Sequence, residues 1–258
     1  MFKKAKEIYA YRQMLESLVL TDLRTRYKGS FLGFFWTLLN PLLMLLVYSI
    51  VFKFVVRIEM DNYTAYLFIG LISWNILSQS ITAGSSAVIR NAGLVKKIYF
   101  PKEILPLAVV SGGFINYFFS LIILIPILLI AKVQVGLPLL LLPLVLLIYF
   151  IFTLSLALLI SGLNVYFRDL EHIMGILVMV WFYLTPIVFP SNMIPEEIGY
   201  IFDYNPMRVI IESFQQIFFY NQYPNAVELL VVALLSIVLL ILSLKVFKKL
   251  SRHFAEEI

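Results

Sequence analysis

Twelve aromatic side chains fall in the forty-three residues from Trp181 to Tyr223, a density well above the 16% of the whole chain. Aromatic faces hold flexible amphipathic chains while letting them slide, as they do for bases in sequence-independent grooves. The axial C–H face of a sugar ring is the analogous partner. The same residues also fit a belt at a membrane–water interface, and for any single one that reading is the simpler. Covalent chemistry has no comparable foundation. None of the eleven glycines opens a GxxxxGK phosphate loop ending in Ser or Thr, so the chain is expected not to hydrolyse nucleotide itself. His172 and His253 stand apart without metal-ligand spacing and read as surface residues. No Ser/His/Asp set is suggested, and there is no cysteine to supply a thiolate or a disulfide. No residue is assigned to catalysis or to a metal.

The element that must position these aromatics is a set of membrane helices. The chain is 62% hydrophobic and 14% charged, with mean hydropathy +0.95, which marks a polytopic membrane protein. Its net charge of +5 does not indicate nucleic acid, because membrane proteins carry a cytoplasmic excess of Lys and Arg. Six apolar stretches near 33–56, 63–83, 104–130, 138–163, 173–189 and 226–247 can cross a hydrocarbon core of about 30 Å, which needs about 20 helical residues. The fifth is short and ends at Pro186 and Pro190. Residues 1–30 place Ile8, Tyr11, Leu15, Leu18 and Val19 at helical spacing among charges, the pattern of a helix lying in a membrane interface. Glu7, Arg12 and Glu16 interrupt any apolar run there, so a cleaved signal peptide is not expected. The predicted fold is a single all-α polytopic membrane domain over 1–258. It has six transmembrane helices, an N-terminal amphipathic interfacial helix and short re-entrant helices over 190–225, before the last span.

Orientation follows from where the cations fall. The N-terminal arm holds Lys3, Lys4, Lys6, Arg12, Arg24, Arg26 and Lys28; the connection after the second span holds Arg90, Lys96, Lys97 and Lys102. Arg168 follows in the next same-side connection, and Lys245, Lys248, Lys249 and Arg252 in the tail. Only Lys53, Arg57, Lys132 and Arg208 fall on the other side, so both termini are expected in the cytoplasm. The cytoplasmic stretch Ala87–Pro106 mixes apolar and basic residues and reads equally as a surface-lying linker or as a docking element for a soluble partner. Ionisable groups are nearly absent from the spans; Lys53 can snorkel outward, leaving neutral Asn40, Asn75, Gln79 and Asn116. That scarcity argues against an ion-coupled carrier and an intramembrane enzyme.

Four ordered segments carry a family resemblance. They are Leu23 to Gly33 (LRTRYKGSFLG) with Trp36 and Asn40–Pro41, Phe100 to Pro106 (FPKEILP), Asn164 to Leu170 (NVYFRDL) and Tyr204 to Met207 (YNPM). In this order, over nearly the full length, the chain resembles the ABC-2 type permeases that export lipid-linked polysaccharides, most closely those for O-antigen. The resemblance implies a homodimer in the inner membrane working with a separate soluble ATPase dimer. ATP and Mg would sit on that partner, with no cofactor on this chain. It also implies a coupling helix at about Arg90–Phe100, meeting the ATPase through Arg90, Asn91, Leu94, Lys96, Lys97, Tyr99 and Phe100. Arg168 and Asp169 would form a second contact, and the interface helix with Arg24, Arg26, Tyr27 and Lys28 would lie nearby. A glycan channel between the first and fifth spans of the two protomers would be lined by Phe35, Trp36, Tyr48, Trp181 and Tyr183, with Phe189 and Tyr220 near its outer end. Membrane lipids are the remaining expected partner. Capsule, teichoic-acid, small-lipid and drug export stay open beside O-antigen, as does an ion-coupled carrier or a structural scaffold in another class.

Overall fold

The computed structural model describes residues 2–25 and 29–258, and every regular element among them is helical. The chain starts with α1 (Phe2–Ala10) and α2 (Arg12–Thr25), broken at Tyr11. Four of the five side chains expected to form one stripe, Ile8, Tyr11, Leu15 and Leu18, pack on an apolar cluster built by the helices beside them, and Val19 is buried outside that cluster. Arg24 is exposed at the end of α2, whereas Arg26, Tyr27 and Lys28 lie outside the described residues.

The first long apolar helix, α3 (Trp36–Ser49), continues into a π-helical turn over Ile50–Val55. Next comes α4 (Tyr63–Ser85), then the short α5 (Ala87–Arg90) and α6 (Ala92–Lys97), then α7 (Ile104–Ile130). A 3-10 turn leads into α8 (Leu142–Asn164). Centrally, α4 is packed by α3, α7, α8 and two helices described below, so that Leu67, Phe68, Ile69, Leu77 and Ile81 have no exposed surface. Lipid is as apolar as these side chains, so close packing and hydrogen bonds rather than water exclusion hold such helices together. The Tyr149 hydroxyl of α8 donates to the Ser73 carbonyl (2.7 Å) and accepts from the Leu77 amide (3.0 Å). It thereby bridges two groups that are hydrogen-bond partners by helical spacing and locks α8 to the backbone of α4. Gly113 lets α7 approach α4 closely, since a Cβ there would sit 2.9 Å from Ser80 Oγ.

The fifth apolar stretch differs from expectation. Its helix, α9 (Leu170–Tyr183), has 14 residues and a length of roughly 21 Å, short of a full crossing. Five of the described helices, not six, have the length and apolarity to span. Beyond α9 the backbone runs irregularly through Pro186 to Pro190, where ring constraints and missing N–H groups forbid helix. Here other elements take up its carbonyls. Asn205 Nδ2 donates to Leu184 O (2.7 Å), Tyr63 Oη to Val188 O (2.6 Å), Tyr66 Oη to Phe189 O (3.3 Å) and Gln215 Nε2 to Pro186 O (3.3 Å). Irregular backbone within an apolar protein is tolerated only when satisfied in this way.

Two short helices follow, α10 (Glu196–Asp203) after Pro195 and α11 (Pro206–Gln215), which ends in a π-helical turn over Gln216–Tyr220. Proline suits the first turn of α11, and Asn205 Oδ1 caps it by accepting from the Met207 amide (2.9 Å). The last long helix, α12 (Ala226–Leu250), is capped by Asn225 and runs along α8, and α13 (Phe254–Glu257) closes the chain.

Candidate functional site

At one end of the bundle, α5, α6 and the residues to Phe100 form a ledge. Val95 and Phe100 are buried against Val88, Ile104, Leu105, Phe247 and Phe254, which fixes the ledge from beneath. The same anchoring leaves Lys96, Lys97, Ile98 and Tyr99 exposed, Tyr99 at 88%. Arg90 is exposed and donates to the Ala83 carbonyl, while Asn91 Nδ2 donates to Ala87 O (2.8 Å) and Leu94 is half-buried. Phe100 and Leu94 are thus anchors, and the two lysines and Tyr99 form the presented surface.

A junction at the end of α12 ties this ledge to its neighbours. Lys102 Nζ donates to Ser251 O (2.6 Å) and lies 5.4 Å from the centre of the Phe254 ring. Burial pulls the Lys102 ammonium below the usual lysine value, against the adjacent Glu103 carboxylate, which raises it. Tyr166 Oη, from the connection carrying Arg168 and Asp169, donates to Leu250 O (2.9 Å). Burial raises the Tyr166 phenol, and Glu257 and Glu256 add to the effect. Arg168 and Asp169 themselves are exposed. A cavity of about 500 Å³ opens here between Glu7, Lys96, Tyr99, Lys248 and Arg252. Sequence reasoning named the first half of this surface but missed the tail, whose only signal was the run Lys245 to Arg252 used for orientation.

Within the bundle the aromatic candidates divide. Trp181 is half-buried, edge-on to Trp74 (6.1 Å), and its Nε1 donates to Asn205 Oδ1 (2.9 Å). Tyr48 packs on Phe52 and Phe182, and Phe189 on Phe202. Trp36 Nε1 donates to Ser30 Oγ (2.9 Å). Phe35, Tyr183 and Tyr220 keep open faces, at 69%, 57% and 42% exposure. The set is therefore not one lining within a protomer; Trp181 and Phe189 are partly spent on holding the fold.

What sequence reasoning named singly, the structure brings together. Asn40 on α3, Asn75 and Gln79 on α4 and Asn116 on α7 converge on one cavity of about 470 Å³, joined by Thr37 and Ser120. Asn116 Oδ1 is buried there without a hydrogen-bond partner. A carboxamide in an apolar setting favours a polar occupant, so the cavity suits water or hydroxyl groups and offers no charge. The four-residue spacing of Asn75 and Gln79 was the available signal, since it puts both on one helical face.

A second polar cavity, of about 530 Å³, lies at the opposite end from the ledge, among the start of α4, α11 and the start of α12. Tyr66 and Gln215 form its buried base. In its wall Arg208 meets Glu212 (3.2 Å) and Glu228 (3.3 Å), with Asp203 at 3.6 Å. Ser191 Oγ also donates to Glu212. Burial raises the Glu212 carboxyl above the ordinary value, opposed by the Ser191 hydrogen bond and Arg208, with Glu228 and Asp203 pushing it further up. Tyr220 is raised by burial and then by Glu212.

The chain matches the family described as ABC-2 type transporter over residues 14–219. It is 38% identical over 264 residues to the O-antigen export system permease protein RfbA of Myxococcus xanthus, covering 100% of both chains. A protein of the same name from Klebsiella pneumoniae is 34% identical over 241 residues, 91% of each chain. The polysialic acid transport protein KpsM of Escherichia coli is 21% identical over 244 residues, 91% of this chain and 92% of its own.

Proposed function

Since the chain belongs to the ABC-2 type transporter family, a multi-pass membrane permease, we propose that it is the transmembrane subunit of an exporter for lipid-linked polysaccharide, O-antigen first. The observation that carries this reading is the full-length similarity to O-antigen export permeases. Two protomers build the channel, and a separate ATPase dimer, holding ATP and Mg, supplies the work. The protein resides in the inner membrane with both termini cytoplasmic. The ledge, the Arg168–Asp169 connection and the tail then share the basic cytoplasmic side. Helix α9 with the irregular run to Pro190 makes the sixth crossing, supported by the side chains that take up that run's carbonyls.

In this mechanism the ATPase dimer closes on ATP and pushes on the presented Lys96, Lys97 and Tyr99. The motion reaches the bundle through buried Phe100 and Val95. A ligand shifts such an equilibrium only by binding the two states unequally, so the ATPase must dock differently when closed. The glycan moves past the open faces of Phe35, Tyr183 and Tyr220 of each protomer. Capsule export is the second reading, supported by the more distant similarity to KpsM.

A strain lacking the gene tests the proposal. It should have a bare surface when stained for O-antigen and should accumulate lipid-linked precursor on the inner leaflet. Normal surface glycan without precursor would reject this substrate class.

A further inference from the structure

The outer cavity has the size of a small-ligand site, since such pockets run to about 300–1,000 Å³. Its walls are planar hydrogen-bonding groups: the carboxamides of Gln215, Gln216 and Gln222, two carboxylates and one guanidinium, beside the ring of Tyr220. Such groups pair with neighbouring hydroxyls, each offering donors, acceptors or both in a fixed plane. The charges decide which kind of hydroxylated ligand fits. Arg208, the single cation of the lining, already meets Glu212 and Glu228 and has Asp203 beside it. With Glu212 ionised the lining carries one more negative than positive charge, and with Glu212 protonated it is neutral. In neither state is it positive.

The surroundings repeat this bias. On the outer side Lys53, Arg57, Lys132 and Arg208 face Glu59 and Asp61 in one connection and Glu196, Glu197, Asp203, Glu212 and Glu228 around the other. The amide cavity inside the bundle, lined by Asn40, Asn75, Gln79 and Asn116, is uncharged. A polyanion leaving by this route would meet in the cavity lining only Arg208, already paired with carboxylates, and a rim where carboxylates outnumber cations, with like charges acting over a screening length of about 8 Å.

We infer that the outer cavity is a saccharide subsite for an uncharged, hydroxyl-rich sugar, and that the polymer exported is neutral rather than polyanionic. The inference rests on the reading of the chain as a glycan permease with this end outward. The anionic cargo for which KpsM is named therefore does not carry over to this chain.

Two measurements test it. The full chain in lipid nanodiscs is titrated with maltohexaose as neutral probe and with a sialic acid hexamer as anionic probe, followed by saturation-transfer NMR. Maltohexaose should bind about tenfold more tightly than the anionic probe. The double variant Gln216→Ala/Gln222→Ala should weaken maltohexaose about tenfold, with an unchanged melting temperature showing that the fold is kept. Equal or tighter binding of the anionic probe, or neutral binding indifferent to the double variant, overturns the inference. The second measurement is sugar analysis of the surface polymer lost on gene deletion. A polymer free of uronic acid, sialic acid and phosphate supports the inference; an anionic one overturns it while leaving the export reading intact. Loss of no polymer at all overturns the export reading itself.

Discussion

Asn205 joins three elements through one carboxamide. Its Oδ1 accepts from Trp181 Nε1 and from the Met207 amide, and its Nδ2 donates to Leu184 O and Thr185 Oγ1. Asn205→Ala leaves the indole N–H and the first-turn amide of α11 without a partner, each worth about 1–3 kcal/mol when buried. A loss of about 3–5 kcal/mol is expected, read as a lowered midpoint in detergent unfolding, and Asn205→Asp should be damaging too because it removes both donated bonds. Glu212 calls for a different argument. Its folded pKa is raised, so folding favours the protonated form. That contribution is full below the ordinary carboxylate value and is lost as pH rises through the raised one. The melting temperature should therefore climb as pH is lowered toward the ordinary carboxylate value of 4.5, and Glu212→Gln should flatten this rise while keeping hydrogen bonds to Ser191 and Arg208. A slope unchanged in the variant would assign it to another group. The helix start beside Asn205 was legible in sequence from Pro206, because proline suits the first turn; the cap made by the Asn205 carboxamide was not. Nor was its hold on Trp181, since the two lie 24 positions apart.

At the scale of elements, the ledge separates anchoring from presentation. Lys96 and Lys97 are exposed, whereas Phe100 is 4% exposed in the apolar cluster. Lys96→Ala/Lys97→Ala should leave stability within about 0.5 kcal/mol while lowering export relative to ATP hydrolysis in vesicles holding the assembled transporter. Phe100→Ala should cost about 3–5 kcal/mol by opening a cavity, and so reduce the amount of folded protein. Export and hydrolysis unchanged in the double variant would remove the ledge from the coupling path. The alternation of apolar and basic residues from Ala87 onward made this element visible in sequence. Its attachment to the C-terminal junction through Lys102 and Ser251 spans 149 positions and could come only from packing.

For the molecule as a whole, α3 is the least covered of the five long apolar helices. Only 17% of its apolar window is buried, and Leu43, Met44, Leu46 and Val47 are exposed, as are Ile176, Met179 and Val180 on α9. In the proposed dimer these two helices meet their counterparts. The chain lacks cysteine, so single substitutions report cleanly. Val47→Cys and Met179→Cys should give covalent dimers on mild oxidation in membranes, and Leu230→Cys on α12 should stay monomeric. The reverse pattern would move the dimer interface to the α12 side.

By itself the sequence determined that this is a helical membrane protein, which connections carry the cations, and that short helices precede the last span. Those features are local: composition, charge and proline placement act within one element or on its position relative to the bilayer. The tertiary structure decided how the fifth apolar stretch breaks after Tyr183 and which side chains satisfy its carbonyls. It also decided that four carboxamides from three helices share one cavity. A span that is apolar on every side carries no stripe to say which face meets which neighbour. The pairing of faces follows from close packing and from the demand that buried polar groups find partners, both of which act between residues far apart in the chain.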